Sequence, residues 1–179
     1  MKFIGIFFVL AVIISGCIET KEQAGTNYFS ISSFLTAETQ LLEKQHVQID
    51  KKVTQKSTTE TKREMLPDWK QELKPFFECD IDKAAWKNSY TIDTAVTDSS
   101  MVIYYKSKEK KAPVRLMSVN YINGKVTTIY ISFEKSNAWF AMKQELTYYP
   151  NKGYIIKGEQ KMALADKNTY EISANYIQP

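Results

Sequence analysis

The sequence predicts an α+β domain in which an antiparallel, strongly curved meander of about seven strands, an incomplete barrel, packs on two helices. Three observations predict it. Residues 90–177 hold about seven short runs that alternate apolar and polar side chains and are joined by short turns; successive short connections make an antiparallel meander. Two earlier stretches, 30–46 and 67–81, carry apolar residues at helical spacing, so each offers a stripe able to cover the sheet's apolar face. The composition is 44% hydrophobic and 13% aromatic with a formal charge of only +4, which supports a packed core and excludes a disordered chain. Residues 28–179 show no internal repeat and form a single predicted domain. At roughly 150 residues such a domain buries about 68–70% of the unfolded chain's surface.

The elements follow in order. Lys2 precedes the apolar run Phe3–Ile14. At 1.5 Å per residue that run spans roughly 18 Å, too short for a hydrocarbon core of about 30 Å, and it predicts a secretory signal peptide over residues 1–16. It ends in Ile14-Ser15-Gly16-Cys17. This ending resembles the lipobox of bacterial lipoproteins: an aliphatic residue, a small one, Gly or Ala, then Cys. The resemblance implies that Cys17 receives a diacylglycerol on its sulfur and becomes the first residue after cleavage. It further implies attachment to the bacterial cell envelope by a lipid anchor. Ile18 rather than Asp after the Cys implies outer-membrane sorting, and Glu19 and Glu22 are the kind of acidic residues that accompany surface export in some Bacteroidota lipoproteins. Residues 17–27 then form a flexible tether with a coil reach of about 17 Å.

In the first predicted helix, 30–46, Ile31, Phe34, Leu35, Leu41 and Leu42 share one stripe and Ser30 is the expected N-cap. Residues 47–66 predict a polar, largely solvated hairpin turning near Lys56-Ser57. The second predicted helix, 67–81, opens at Pro67 and carries Leu66, Trp69, Leu73, Phe76, Phe77 and Ile81, with Pro75 expected to break it near Leu73. Lys83–Trp86 closes this region as a short helical turn. The β-meander occupies 90–177. Its strongest turn signal is Asn123-Gly124, where a two-residue hairpin needs positive φ at both positions.

Chemistry is sparse. The chain's one His, His46, excludes metal sites needing two imidazoles, and two Cys exclude a disulfide framework. His46 falls where the first helix ends, a place where imidazole complements the helix C-terminus. Cys79 is expected to be buried and inert. Glu78, Asp80 and Asp82 form an acidic cluster at a helix end, where alternate carboxylates point to different sides. Asp93 and Asp98 have no feature that marks them as a glycosidase pair. No phosphate-binding loop, zincin helix or nucleophile elbow occurs. No catalytic residue, metal or cofactor is therefore expected, and the thin positive charge implies no nucleic-acid partner. The lysines at 106, 108, 110 and 111 suit either a solubilising hairpin tip or contact with anionic head groups.

Aromatic placement is the most informative remaining signal. Tyr148, Tyr154, Tyr170 and Tyr176 fall on the apolar faces of adjacent C-terminal strands, and Tyr90 on that of the first. Such rings either fill the core or line a half-wet cavity for a hydrophobic or amphipathic ligand. A curled sheet over helices on a lipid tether is similar, at fold level alone, to the periplasmic lipoprotein carriers and receptors LolA and LolB. The expected role is thus a non-enzymatic, lipid-anchored envelope protein that binds such a ligand or an envelope protein through its sheet. The alternatives are a structural or assembly subunit docking through the 47–66 hairpin, and an enzyme acting on envelope polymer through paired carboxylates.

Overall fold

The structure, a computed structural model, describes residues 28–66 and 68–178. The expected signal peptide, lipidated Cys17 and tether lie outside the described residues. A nine-stranded open antiparallel sheet dominates, with strand order β2-β1-β9-β8-β7-β6-β5-β4-β3. The strands are β1 Gln48–Gln55, β2 Thr58–Met65, β3 Tyr90–Val96, β4 Ser100–Ser107, β5 Val114–Ile122, β6 Lys125–Ser136, β7 Phe140–Tyr149, β8 Gly153–Met162 and β9 Asn168–Ile177.

The expected count of about seven is corrected to nine. The seven meander strands run from β3 to β9 as the alternation predicts. The 47–66 hairpin, expected as a separate solvated ribbon, adds two more, because β1 pairs along its whole length with β9. That pairing brings Ile49 opposite Tyr176 and Val53 opposite Ile172, apolar partners separated by more than a hundred residues and by the helical segment. Local pattern cannot reveal such a neighbour. Only β2 keeps the expected solvation, exposed along nearly all its length and tied to β1 by a two-pronged Arg63–Asp50 ion pair at 2.6 and 2.7 Å. Its Glu60, Lys62, Arg63 and Glu64 give this sheet edge the charges that discourage further strand pairing.

The expectation of two helices is likewise refined to three short ones, α1 Ile31–Lys44, α2 Trp69–Glu72 and α3 Lys74–Phe77, followed by a 3-10 turn at Ala84–Trp86. Pro75 splits the second stripe at Leu73, whose φ of −89° and ψ of 8° leave the helical region. Helix α1 begins at the expected cap, the Ser30 hydroxyl accepting from the Ser33 N–H at 3.2 Å, an arrangement worth about 1 kcal/mol. Its far end closes with paired bonds, His46 N–H to the Glu43 carbonyl and Val47 N–H to the Leu42 carbonyl. His46 occupies the left-handed position of this cap, φ 51°, where glycine is the least strained residue. His46→Gly is expected to raise stability by about 0.5–1 kcal/mol, read as a higher urea midpoint with an unchanged slope.

The core lies between the helices and one face of the sheet. Ile31, Leu35 and Leu42 from α1, with Trp69, Leu73 and Phe76 from α2–α3, are buried against Ile129, Ile131, Leu146 and Ile156. Asn123 and Gly124 have φ of 50° and 74°, as their hairpin requires. No helix among the described residues is long and apolar enough to cross a membrane.

Candidate functional site

Strand register decides where the tyrosines go. Tyr148 on β7 stands opposite Tyr154 on β8, and Tyr154 opposite Ala174 on β9, so the rings share the face that the helices cover. Phe76 from α3 sits edge-on to both, its ring centre 5.7 Å from each. Phe34 from α1 meets Tyr148 at 6.3 Å, and Trp69 from α2 meets Tyr176 at 5.1 Å. Tyr148, Tyr154 and Tyr90 are 0%, 2% and 4% exposed. Their hydroxyls are satisfied inside the core. Tyr148 donates to Glu38 Oε2 at 3.1 Å, Tyr154 donates to Glu72 Oε1, and Tyr90 donates to the Val114 carbonyl at 3.1 Å. Tyr176 Oη is buried without completing a hydrogen bond of ordinary geometry. Burial pushes the hydroxyls of Tyr90, Tyr148, Tyr154 and Tyr176 above their usual range, so these groups remain neutral donors and cannot serve as bases near neutral pH.

Tyr170 is placed differently. It lies on the same face but near the β9 end, half-buried. Its ring lies over Gly158, where an added Cβ would come within 2.3 Å of the ring. Its hydroxyl accepts from Gln144 Nε2 at 2.6 Å. The ring covers a bare stretch of backbone, the role aromatic residues take beside strand glycines.

Helical spacing puts Glu38 on the stripe of the first helix, but its tyrosine partner across the sheet, like that of Glu72, is defined only once the helices pack. Glu72 also pairs with Lys51 Nζ at 2.8 Å, which offsets its burial beside Tyr154. Burial pushes the Glu38 carboxyl above its ordinary 4.5, opposed by the hydrogen bond from Tyr148. The folded state therefore holds the Glu38 proton more tightly than the unfolded chain. Its contribution favours folding below pH 4.5 and is lost as pH rises through the raised value. Glu38→Gln, which keeps an acceptor oxygen for Tyr148, should gain in stability relative to the parent between pH 4 and 7. Urea midpoints of both proteins across that interval check this, and parallel curves would refute it.

The other face of the sheet is polar and concave over β6–β9 and β1. A concavity of about 620 Å³ opens there. Register builds its floor as two cross-strand rows. Glu134, Lys143 and Glu159 stand opposite one another on β6, β7 and β8; Glu145, Lys157 and Glu171 do so on β7, β8 and β9. Signs alternate along both rows. Lys143–Glu134 and Lys157–Glu171 approach to 3.5 and 3.6 Å, and Lys167 meets Glu159 at 2.5 Å. The hydrogen bond from Lys167 holds the Glu159 carboxyl below its usual range. The floor of this concavity is thus charged, with its carboxylates and ammonium groups paired across the strands.

No family model, curated protein or solved structure matches this chain. Its own geometry therefore carries the functional reading.

The remaining candidates are dispersed. His46 is committed to its helix cap. The Cys79 thiol is 1% exposed and donates to the Pro75 carbonyl at 3.2 Å, and burial pushes it up to about 12, which leaves no thiolate near neutral pH. Asp80 is buried and accepts from the Asp82 N–H at 3.3 Å, a local turn. Asp93 and Asp98 lie exposed on the edge strand β3 and its turn. Among the described residues no three His, Cys, Asp or Glu gather as a metal ion requires. In the lysine turn between β4 and β5, Glu109 accepts from the Ser89 hydroxyl at 2.7 Å, fixing the turn to the start of β3.

Proposed function

We propose that the chain is a non-enzymatic, lipid-anchored protein of the bacterial envelope, sorted to the outer membrane, that holds a polar partner on the concave face of its sheet. The anchor rests on Ile14-Ser15-Gly16-Cys17 behind a short apolar run. The binding role rests on one observation: the concavity of about 620 Å³ floored by alternating Glu and Lys rows. The helix-covered face favours a partner over a hydrophobic ligand, because Phe76, Trp69 and Phe34 already occupy the space above Tyr148 and Tyr154. The tyrosine hydroxyls serve there as buried donors to carboxylates and a carbonyl, which supports a structural role.

Two readouts test the proposal in cells. Labelled palmitate should enter the parent and be absent from Cys17→Ser. A photo-crosslinking residue placed at Glu145 or Lys157 should capture an envelope component that the same residue at Ile122, on the far end of β5, does not. Capture of nothing but other copies of the chain would overturn the partner role. The second reading, an assembly subunit, is favoured by the exposure of edge strand β2; capture from Thr61 and not from Glu145 selects it.

A further inference from the structure

Three exposed apolar side chains, including the two most exposed, lie together at one end of the sheet. Trp139, Met162 and Leu164 are 73%, 60% and 99% exposed, in a monomer surface that ordinarily spends its aromatic and aliphatic residues inside. Trp139 belongs to the β6–β7 turn, Met162 ends β8, and Leu164 belongs to the β8–β9 turn. The pairing of Phe140 with Met162 and the bond from the Ala163 N–H to the Trp139 carbonyl at 3.0 Å join the two turns. The Asn137 side chain accepts from the Trp139 N–H at 2.9 Å. The backbone of Trp139 is therefore fixed within the joined turns, while its side chain is exposed.

These two hairpins also project. β5 begins at Val114 opposite Phe133, and β9 begins at Asn168 opposite Gln160, so the last residues of β6 and β8 run past their outer neighbours. Three residues of β6 and two of β8 add roughly 7–10 Å. Exposed lysines surround the projection: Lys135 and Lys161 on the hairpins themselves, Lys108 and Lys110 in the β4–β5 turn, and Lys56 in the β1–β2 turn. All belong to the same end of the sheet.

The chain enters at this end too. The Tyr28 hydroxyl accepts from the Tyr90 N–H at 3.1 Å, and Tyr90 is the first residue of β3 on that side. Four strand spacings, roughly 19 Å, separate β3 from β7. Cys17 precedes Tyr28 in the chain, so on the lipid-anchored reading the anchor joins the domain at the end that carries the projecting turns. Exposed Met65, Val96 and Ile122 lie at the opposite end, away from this entry point, and are not gathered as Trp139, Met162 and Leu164 are: Met65 ends β2 at one edge of the sheet, Val96 ends β3 at the other.

We propose that the joined β6–β7 and β8–β9 turns dock into a bilayer surface containing anionic lipid, with Trp139, Met162 and Leu164 entering the head-group boundary and the lysines facing the lipid charge. Trp suits that depth because its ring is apolar and its N–H is polar, and the arrangement follows the rule of apolar insertion beside cations that holds for surface-bound elements. The orientation argument rests on the lipid-anchored reading; the apolar projection does not. Docking would point the strands away from the membrane and leave the charged concavity open from the side.

The test uses the full chain on vesicles of phosphatidylcholine and phosphatidylglycerol whose acyl chains are brominated near the head group. Trp139 is one of three tryptophans; Trp69 is buried in the core and Trp86 is half-buried against it. Bromine should quench the emission of the parent clearly more than that of Trp139→Phe, which keeps only the smaller quenching of Trp86. Ile122→Ser at the opposite end should quench as the parent does. Equal quenching in the parent and Trp139→Phe overturns docking, as does an unquenched Trp139 that instead crosslinks to an envelope protein. Cys17→Ser separates the two readings. If it is quenched at high vesicle concentration while the parent takes up no palmitate, docking stands and the anchor fails. Palmitate uptake without quenching has the reverse meaning.

Discussion

Phe76→Ala is expected to lower the unfolding free energy by about 3–5 kcal/mol, the range for emptying a fully buried aromatic site. The residue is 0% exposed and lies edge-on to two tyrosines that are themselves fixed at their tips, Tyr148 to Glu38 and Tyr154 to Glu72. Those bonds prevent the rings from collapsing into the vacated space, so the cost belongs at the upper end of the range. Phe76→Leu keeps most of the volume and should cost no more than about 1.5 kcal/mol. Urea unfolding followed by near-ultraviolet dichroism measures both. An alanine variant within 1.5 kcal/mol of the parent would mean that the inner face has room to spare, and a ligand beneath the helices would again be in contention. The same substitution leaves the Glu and Lys rows of the opposite face untouched, so crosslinking from Lys157 should persist wherever the variant remains folded.

What was legible in the sequence was local. Ser30 announces the start of α1, Pro75 the break at Leu73, and Asn123-Gly124 a hairpin, because each acts on its own few residues. Alternation along β7 and β8 correctly sets Leu146, Tyr148, Tyr154 and Ile156 on one face. The pairing of β1 with β9 was illegible, since Ile49 and Val53 sit in a stretch whose polar second strand disguises its sheet membership. The candidate site divides in the same way. The positions of Lys143, Glu145, Lys157, Glu159 and Glu171 on polar faces can be read directly. That they align into rows of alternating sign across four strands depends on register, which the turns and the apolar face decide together. The Tyr148–Glu38 and Tyr154–Glu72 pairs depend on helix packing and have no sequence signature at all.

Gly153→Ala is expected to cost roughly 3 kcal/mol or more, enough to separate two central strands. Gly153 begins β8 immediately after the turn at Asn151-Lys152, with φ of 140°, a conformation that residues with a Cβ avoid. An added Cβ would sit 1.9 Å from the Ala174 carbonyl oxygen. That neighbour is backbone and cannot rotate away. Relief requires β9 to move from β8, which breaks the Tyr176 N–H bond to the Lys152 carbonyl at 2.8 Å and disturbs Tyr154, the next residue, where it is tied to Glu72. Because β9 also carries β1 and β2 on its far side, the strain would loosen that whole edge of the sheet. Gly124→Ala provides the comparison. It too has positive φ, 74°, yet an added Cβ meets nothing within 4 Å, so only conformational strain of about 1–2 kcal/mol applies. Equal losses in the two variants would show that backbone angle alone governs Gly153. A clearly larger loss at Gly153, accompanied by faster amide exchange in β1 and β9 than in β5, would locate the damage at the β8–β9 seam.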